Sequence, residues 1–366
     1  MRCRRSIGPL IALLFANVGS SPWALAGEPP PDDRPLDPEA RRRVIATVIE
    51  LLPTEYVFPE VGKKMAAAIR ERDRKRSYDA TASSRAFAAR LTEDLRAVSH
   101  DKHLSVEFNA EPIPVASPDR QLGDEEKRRF AAFLTRINHG FERAERLPGN
   151  VGYLDLTGFA PVDQGGEAAA AALSFIANTD ALVIDLRHNG GGDPNMVALV
   201  TSYLFGADRV HLNDLYWRKG DVTEQFWTQA WVPGRRFGPD KPVWILTSGE
   251  TFSAAEEFAY NLQNLKRATV VGETSGGGAH PGDFLRIDEH FKIWMPTGRA
   301  INPISKTNWE GVGVKPDVVV PADEALDRAH ALALETLIAG QADPGRKAAL
   351  GEVLAKVKAR LDGKPP

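Results

Sequence analysis

The chain has 366 residues, 43% of them hydrophobic and 26% charged, with a formal net charge of −3. That is more than one small domain and enough apolar material for more than one core. A mildly acidic balance without a strong basic block excludes nucleic acid as the expected partner. The single cysteine, Cys3, gives no basis for a disulfide framework or a thiolate metal site. Residues 1–26 have the pattern of a secretory signal peptide. Arg2, Arg4 and Arg5 make the start basic, Gly8, Pro9 and Asn17 interrupt an apolar run, and Ala24–Leu25–Ala26 is a small-x-small end, with cleavage expected after Ala26. The run is too short and broken for a bilayer span, which takes about 20 apolar residues. The expected product is exported, periplasmic or secreted, with no stable membrane anchor.

Residues 27–110 are expected to form a helical domain ending in a strand. Asp37–Pro38 has the N-cap and N1 residues of a helix whose Val44, Val48, Leu51 and Leu52 share a face. Phe87, Leu91 and Leu95 mark another helix, and Leu104, Val106 and Phe108 alternate like a half-buried strand. Residues 111–148 read as a connector, Pro-rich to 123 and then a charged helical stretch over 124–146. Residues 149–330 alternate short strands (151–156, 181–186, 243–247, 269–273) with helical segments, the pattern of an α/β core with parallel pairing. Residues 331–366 are expected to be a helical tail.

Three segments carry candidate chemistry. After the apolar run at 243–246, a Ser-Gly turn leads to Ser253 at the start of a helix with Phe258, Leu262 and Leu265 as apolar positions. A hydroxyl at a helix N-terminus meets free backbone N–H groups and the positive end of the dipole, which suits a nucleophile that creates an oxyanion beside itself. An ordinary Ser N-cap has the same pattern. Gly190–Gly191–Gly192 follows the strand at 181–186 and can offer N–H groups for half of an oxyanion hole; Asp193–Pro194 then opens a helix. His100 and His103 lie at the entry of the strand near 104–108, and either can serve as general base. Glu310 can orient an imidazolium. His280, His290 and Asp288 do not make a metal-ligand spacing, so neither metal nor cofactor is expected. Glu256 and Glu257 are adjacent and do not face together as an acid/base couple. There is no G-x-S-x-G elbow.

In combination these segments resemble the tail-specific, or C-terminal-processing, serine peptidase family. The resemblance rests on Asp101–Lys102–His103, on residues 185–192, on 251–256, on 270–278 and on Trp309–Glu310–Gly311–Val312–Gly313 with Pro316–Asp317. The N-terminal part, with Tyr56–Val57–Phe58–Pro59–Glu60 inside it, is similar to the helical domain of the branch related to interphotoreceptor retinoid-binding protein. The resemblance implies a crotonase-like ββα-spiral core. Many relatives use a Ser-Lys dyad, but the matching turn here is Gly276–Gly277–Gly278, without lysine. A tricorn-like arrangement then implies Ser253, His103 and Glu310 as the triad, with Ala254, Gly190 and Gly191 at the oxyanion hole. Where that pattern has a serine before the histidine, this chain has Lys102. No PDZ domain is expected, because the interval 109–150 is too short. The implied function is hydrolysis of peptide bonds in a peptide or protein substrate. The alternatives are a non-catalytic carrier of retinoid or fatty-acid ligands on the same fold, and an esterase using the same triad.

Overall fold

The computed structural model describes residues 33–114 and 123–363. The expected signal peptide and most of the Pro-rich connector lie outside the described residues. The first half runs α1 (Pro38–Glu55), α2 (Pro59–Arg74), α3 (Ser84–Ser99), β1 (Ser105–Phe108), α4 (Asp124–Arg136), β2 (Phe141–Leu147), β3 (Val151–Leu156), α5 (Val162–Ile176), β4 (Ala181–Asp185) and α6 (Pro194–Ser202). Then follow β5 (His211–Trp217), β6 (Val222–Trp227), β7 (Val243–Thr247), α7 (Ala254–Asn264), β8 (Thr269–Gly272), β9 (Gly282–Arg286), β10 (Phe291–Pro296), β11 (Gly298–Ile301), β12 (Val318–Val319), α8 (Ala325–Gly340) and α9 (Pro344–Leu361). These elements form two compact units: one holds the residues up to 114 together with Pro281–Thr297, the other holds 123–280 and the chain from 298 onward.

The first unit is helical with one small sheet. Asp37 caps α1 by accepting the Ala40 N–H at 2.8 Å, and Pro38 opens the helix. Val44, Val48, Leu52, Ile69, Phe87, Leu91 and Leu95 are fully buried in its core, as the helical spacing of the first and last groups requires. β1 pairs antiparallel with β10, and β10 with β9, so Val106 and Phe108 reach the same core as Phe291, Ile293 and Met295. The strand–helix alternation places residues 281–297 in the α/β core. The structure gives them to the helical unit, because β1 finds its hydrogen-bonding partner there.

The second unit is built on a six-stranded sheet of order β12-β8-β7-β4-β3-β2, parallel except for the β2–β3 hairpin. The expected parallel strands are all present. Val151, Tyr153, Val183, Trp244, Leu246 and Val271 face α8 and α9 in one core. Their neighbours Leu154, Leu182, Ile184, Ile245 and Val270, on the opposite face by the two-residue period, are equally buried. Burial on both faces explains the unbroken apolar runs. The expected helical tail is therefore a covering layer of the sheet. A second, three-stranded antiparallel sheet, β11-β5-β6, completes the unit.

The charged stretch 124–146 does not stay helical. α4 stops at Arg136, Asn138 and His139 take positive φ, and β2 begins at Phe141. Gly149 (φ 85°) and Asn150 (φ 64°) turn β2 into β3, the paired positive φ values that tight hairpins need. α4 begins at Asp124, so the interval after β1 has no room for a PDZ domain. Among the described residues no helix is long and apolar enough to cross a membrane.

Candidate active site

β7 ends at Thr247, and the chain reaches α7 through a short loop whose last residue is Ser253. The serine is the N-cap of α7 with φ 55° and ψ −119°. Those angles belong to the first central residue of a type II′ turn, where glycine is the usual occupant. A half-buried serine is thus held in a conformation that L-residues avoid, at the positive end of an eleven-residue helix.

The loop after β4 is fastened to it. Thr251 Oγ1 donates to the Leu186 carbonyl at 2.8 Å, Ser248 Oγ to the Arg187 carbonyl at 2.5 Å, and the Phe252 N–H to the Asn189 carbonyl at 3.0 Å. On its other side Asn189 Nδ2 donates to the Leu156 carbonyl at 2.8 Å, and the Phe159 N–H donates to the Gly191 carbonyl at 2.9 Å. Gly191 is thereby brought up against Ser253 and Ala254. The Gly191 N–H donates to Asn189 Oδ1 at 2.9 Å. Among the described residues the N–H groups of Gly190 and Ala254 have no protein acceptor. Gly191 contributes space: with φ 110°, it lies where a side chain would collide with the serine. His188, in the same loop, is exposed and lies 3.2 Å from Glu250.

Glu256 and Glu257 follow in the first turn of α7 and face different groups, as adjacent helical positions must. Glu256 is fully buried, and burial pushes its carboxyl up to about 7 although neighbouring donors lower it. Burial pushes Glu257 up to about 8; the Asp193 charge adds to this, and Asn213 and Asn261 offset part of it.

The turn Gly276–Gly277–Gly278 leads to Ala279 and His280. The Ala279 N–H donates to Glu310 Oε2 at 2.5 Å, and His280 Nδ1 lies 3.4 Å from the same oxygen. Trp309 Nε1 donates to the Gly278 carbonyl at 2.7 Å. In the sequence His280 figures only among residues without a metal-ligand spacing, and its pairing with Glu310 emerges from the fold.

His103 belongs to the helical unit. Its N–H donates to Asp101 Oδ1 at 3.0 Å, and Asp101 Oδ2 accepts the Tyr56 hydroxyl at 3.0 Å. Arg96 pins the same turn to α3, donating to the Lys102 carbonyl at 2.6 Å and the Leu104 carbonyl at 2.8 Å. His100 takes a left-handed conformation as the C-cap of α3, a structural post that sets it apart from His103.

Residues 150–320 match the family described as Peptidase family S41, and residues 39–132 match the N-terminal domain of peptidase S41 in eukaryotic IRBP. The two matches together take in more than two thirds of the chain. The chain belongs to peptidase family S41. A carboxy-terminal-processing protease of Bartonella bacilliformis is 28% identical over 188 residues, which cover 48% of this chain and 40% of that protein. The chain therefore spans less than half of the length of this relative. Two solved structures share the S41 chain's fold at low identity. A candidate peptidase from Parabacteroides merdae has TM-score 0.54 and 17% identity, covering 80% of this chain and 96% of that one. A lipoprotein from Streptococcus agalactiae has TM-score 0.53 and 15% identity, covering 82% and 98%. The S41 match accounts for the mixed α/β core and the IRBP-type match for the helical unit that precedes it.

Proposed function

We propose that this S41 chain is an exported serine peptidase that hydrolyses peptide bonds through Ser253, His103 and Glu310. The observation that carries the reading is the strained Ser253 at the start of α7, with the open N–H of Ala254 next in the chain and that of Gly190 in the loop fastened to the same turn. In this reading His103 takes the Ser253 hydroxyl proton as the oxygen attacks the substrate carbonyl. The two N–H groups stabilise the oxyanion. The imidazolium returns its proton to the leaving amine, and Glu310 supports the charged ring. Water, activated by the same imidazole, then releases the acyl group. Export rests on the sequence pattern of residues 1–26.

One observation favours a second reading of the base. The ring of His280, 3.4 Å from Glu310 Oε2, is the imidazole that this carboxylate holds within its own unit. The experiment is labelling of the purified protein with a fluorophosphonate, mapped by mass spectrometry, in the wild type, Ser253→Ala, His103→Ala and His280→Ala. An adduct on Ser253 that is lost in His103→Ala but kept in His280→Ala supports the triad as proposed; the reverse pattern makes His280 the base. A wild type that takes no label turns attention to the carrier of hydrophobic ligands. Labelling with turnover of esters but not of peptides indicates the esterase.

A further inference from the structure

Glu256 stands three residues after Ser253, the serine-x-x-glutamate spacing of a capping box. Its carboxylate does more than cap. Oε2 accepts the N–H of Ser253 at 2.8 Å and the N–H of Gly278 at 2.8 Å, while Oε1 accepts the N–H of Gly277 at 2.6 Å and the hydroxyl of Ser275 at 2.5 Å. We propose that Glu256 is a positioning residue that locks the Ser253 backbone to the glycine turn 276–278, keeping the serine in its strained, reactive orientation. The proposal rests on the reading of Ser253 as nucleophile.

Only an ionised carboxylate matches this donor set. It presents two oxygens with about four acceptor sites and no donor, whereas an amide replaces one oxygen by an NH₂ that would face N–H groups. Both ends of the clamp are fixed. On the helix side the bond to the Ser253 N–H holds the peptide plane that sets the serine's φ. On the turn side the Gly276 N–H donates to the Thr251 carbonyl at 2.9 Å, and Ser275 Oγ accepts the Val314 N–H at 2.6 Å. The turn is also packed too closely for side chains: a Cβ on Gly276 would meet Phe252 Cδ2 at 2.7 Å, and Gly277 has φ 83°. Gly277 and Gly278 thus offer their N–H groups to a carboxylate three residues beyond the serine. The strain at Ser253 persists because these contacts over-determine it.

The test compares the wild type with Glu256→Gln, Glu256→Asp and Ser275→Ala, using two readouts on the full chain. The first is hydrogen–deuterium exchange over the peptides holding Ser253 and residues 275–278. It reports on the clamp whether or not the protein is a peptidase. The second is the fluorophosphonate labelling rate of Ser253, with kcat and KM on a peptide. Glu256→Gln is expected to exchange faster in those peptides alone and to lose about 100-fold in labelling rate and kcat, with KM nearly unchanged. Glu256→Asp should recover part of the rate, and Ser275→Ala should lose several-fold. A folded Glu256→Gln with wild-type exchange and wild-type labelling overturns the proposal. Should Glu256→Gln fail to fold, Ser275→Ala decides, and wild-type exchange and labelling in it overturn the proposal equally. Faster exchange in a protein whose wild type never labels keeps the clamp and removes the nucleophile.

Discussion

A Cβ added to Gly191 would lie 2.8 Å from the Cβ of Ser253 and 3.0 Å from the nitrogen of Ala254. The nearest atoms are the serine's own Cβ and the backbone of Ala254 and Phe252, none of which a side-chain rotation can move. Gly191→Ala therefore cannot be absorbed by a rotamer change, and φ 110° adds strain for any L-residue. The variant is expected to lose about 1–3 kcal/mol of stability and at least ~100-fold in fluorophosphonate labelling. Differential scanning calorimetry and labelling rates check both, and a wild-type rate would remove this loop from the site.

Ser253 itself offers a test of strain. Replacing it with alanine keeps the Cβ and the unfavourable φ 55°, whereas glycine relieves both. Ser253→Gly is expected to be about 1 kcal/mol more stable than Ser253→Ala, after allowing for glycine's greater unfolded-state entropy. Neither variant should take label. Equal melting temperatures for the pair would show that the backbone at 253 stores no strain.

Glu257 predicts a pH dependence of stability. Burial raises its carboxyl from an ordinary value of 4.5 to about 8 in the folded chain. Between those values the folded state binds the extra proton, so the stabilisation is complete below 4.5 and is lost as pH rises to about 8. The wild type should become less stable across that window, at up to about 1.4 kcal/mol per pH unit for one proton. Glu257→Gln should flatten the dependence across that window. Urea midpoints measured from pH 5 to 8 for both proteins decide the matter; parallel curves would mean that Glu257 is already ionised.

Arg96 bears on the choice of base. It donates to the carbonyls of Lys102 and Leu104, on either side of His103, and so fixes the turn that carries the imidazole. If His103 takes the serine's proton, Arg96→Ala should slow labelling by about 10-fold with the chain still folded by circular dichroism. Unchanged labelling would favour His280.

Much of the architecture was legible in the sequence because the parallel strands are buried on both faces and are therefore written as continuous apolar runs. Val243–Thr247 and Ala181–Asp185 needed no further signal. β5 and β6 were missed: in β5 the polar Asn213 is as buried as its apolar neighbours, and β6 is largely exposed, so neither shows a clean alternation. The extension of α4 into β2 followed the charge pattern and passed over Asn138–His139–Gly140, three residue types that favour the positive φ they adopt here. At the site, Ser253 and the glycine loop were legible from strand-to-helix turns. Glu256 was not, because three of its four donors are backbone N–H groups, which any residue but proline possesses. Its serine-x-x-glutamate spacing was the one available clue.

The helical unit has one further property that follows from β9 and β10. Its core includes Phe291, Ile293 and Met295, which lie far downstream of α1 to α3 and β1. During synthesis residues 33–108 therefore emerge with an unpaired strand and an incomplete core, and they wait for most of the α/β unit to be made. Contacts of such sequence separation raise the contact order and slow folding. They also leave the nascent chain exposed to aggregation while it waits. A fragment ending at residue 114 should accordingly be unable to fold alone, and for this chain the last piece of the N-terminal unit to be translated sets the earliest moment at which that unit can close.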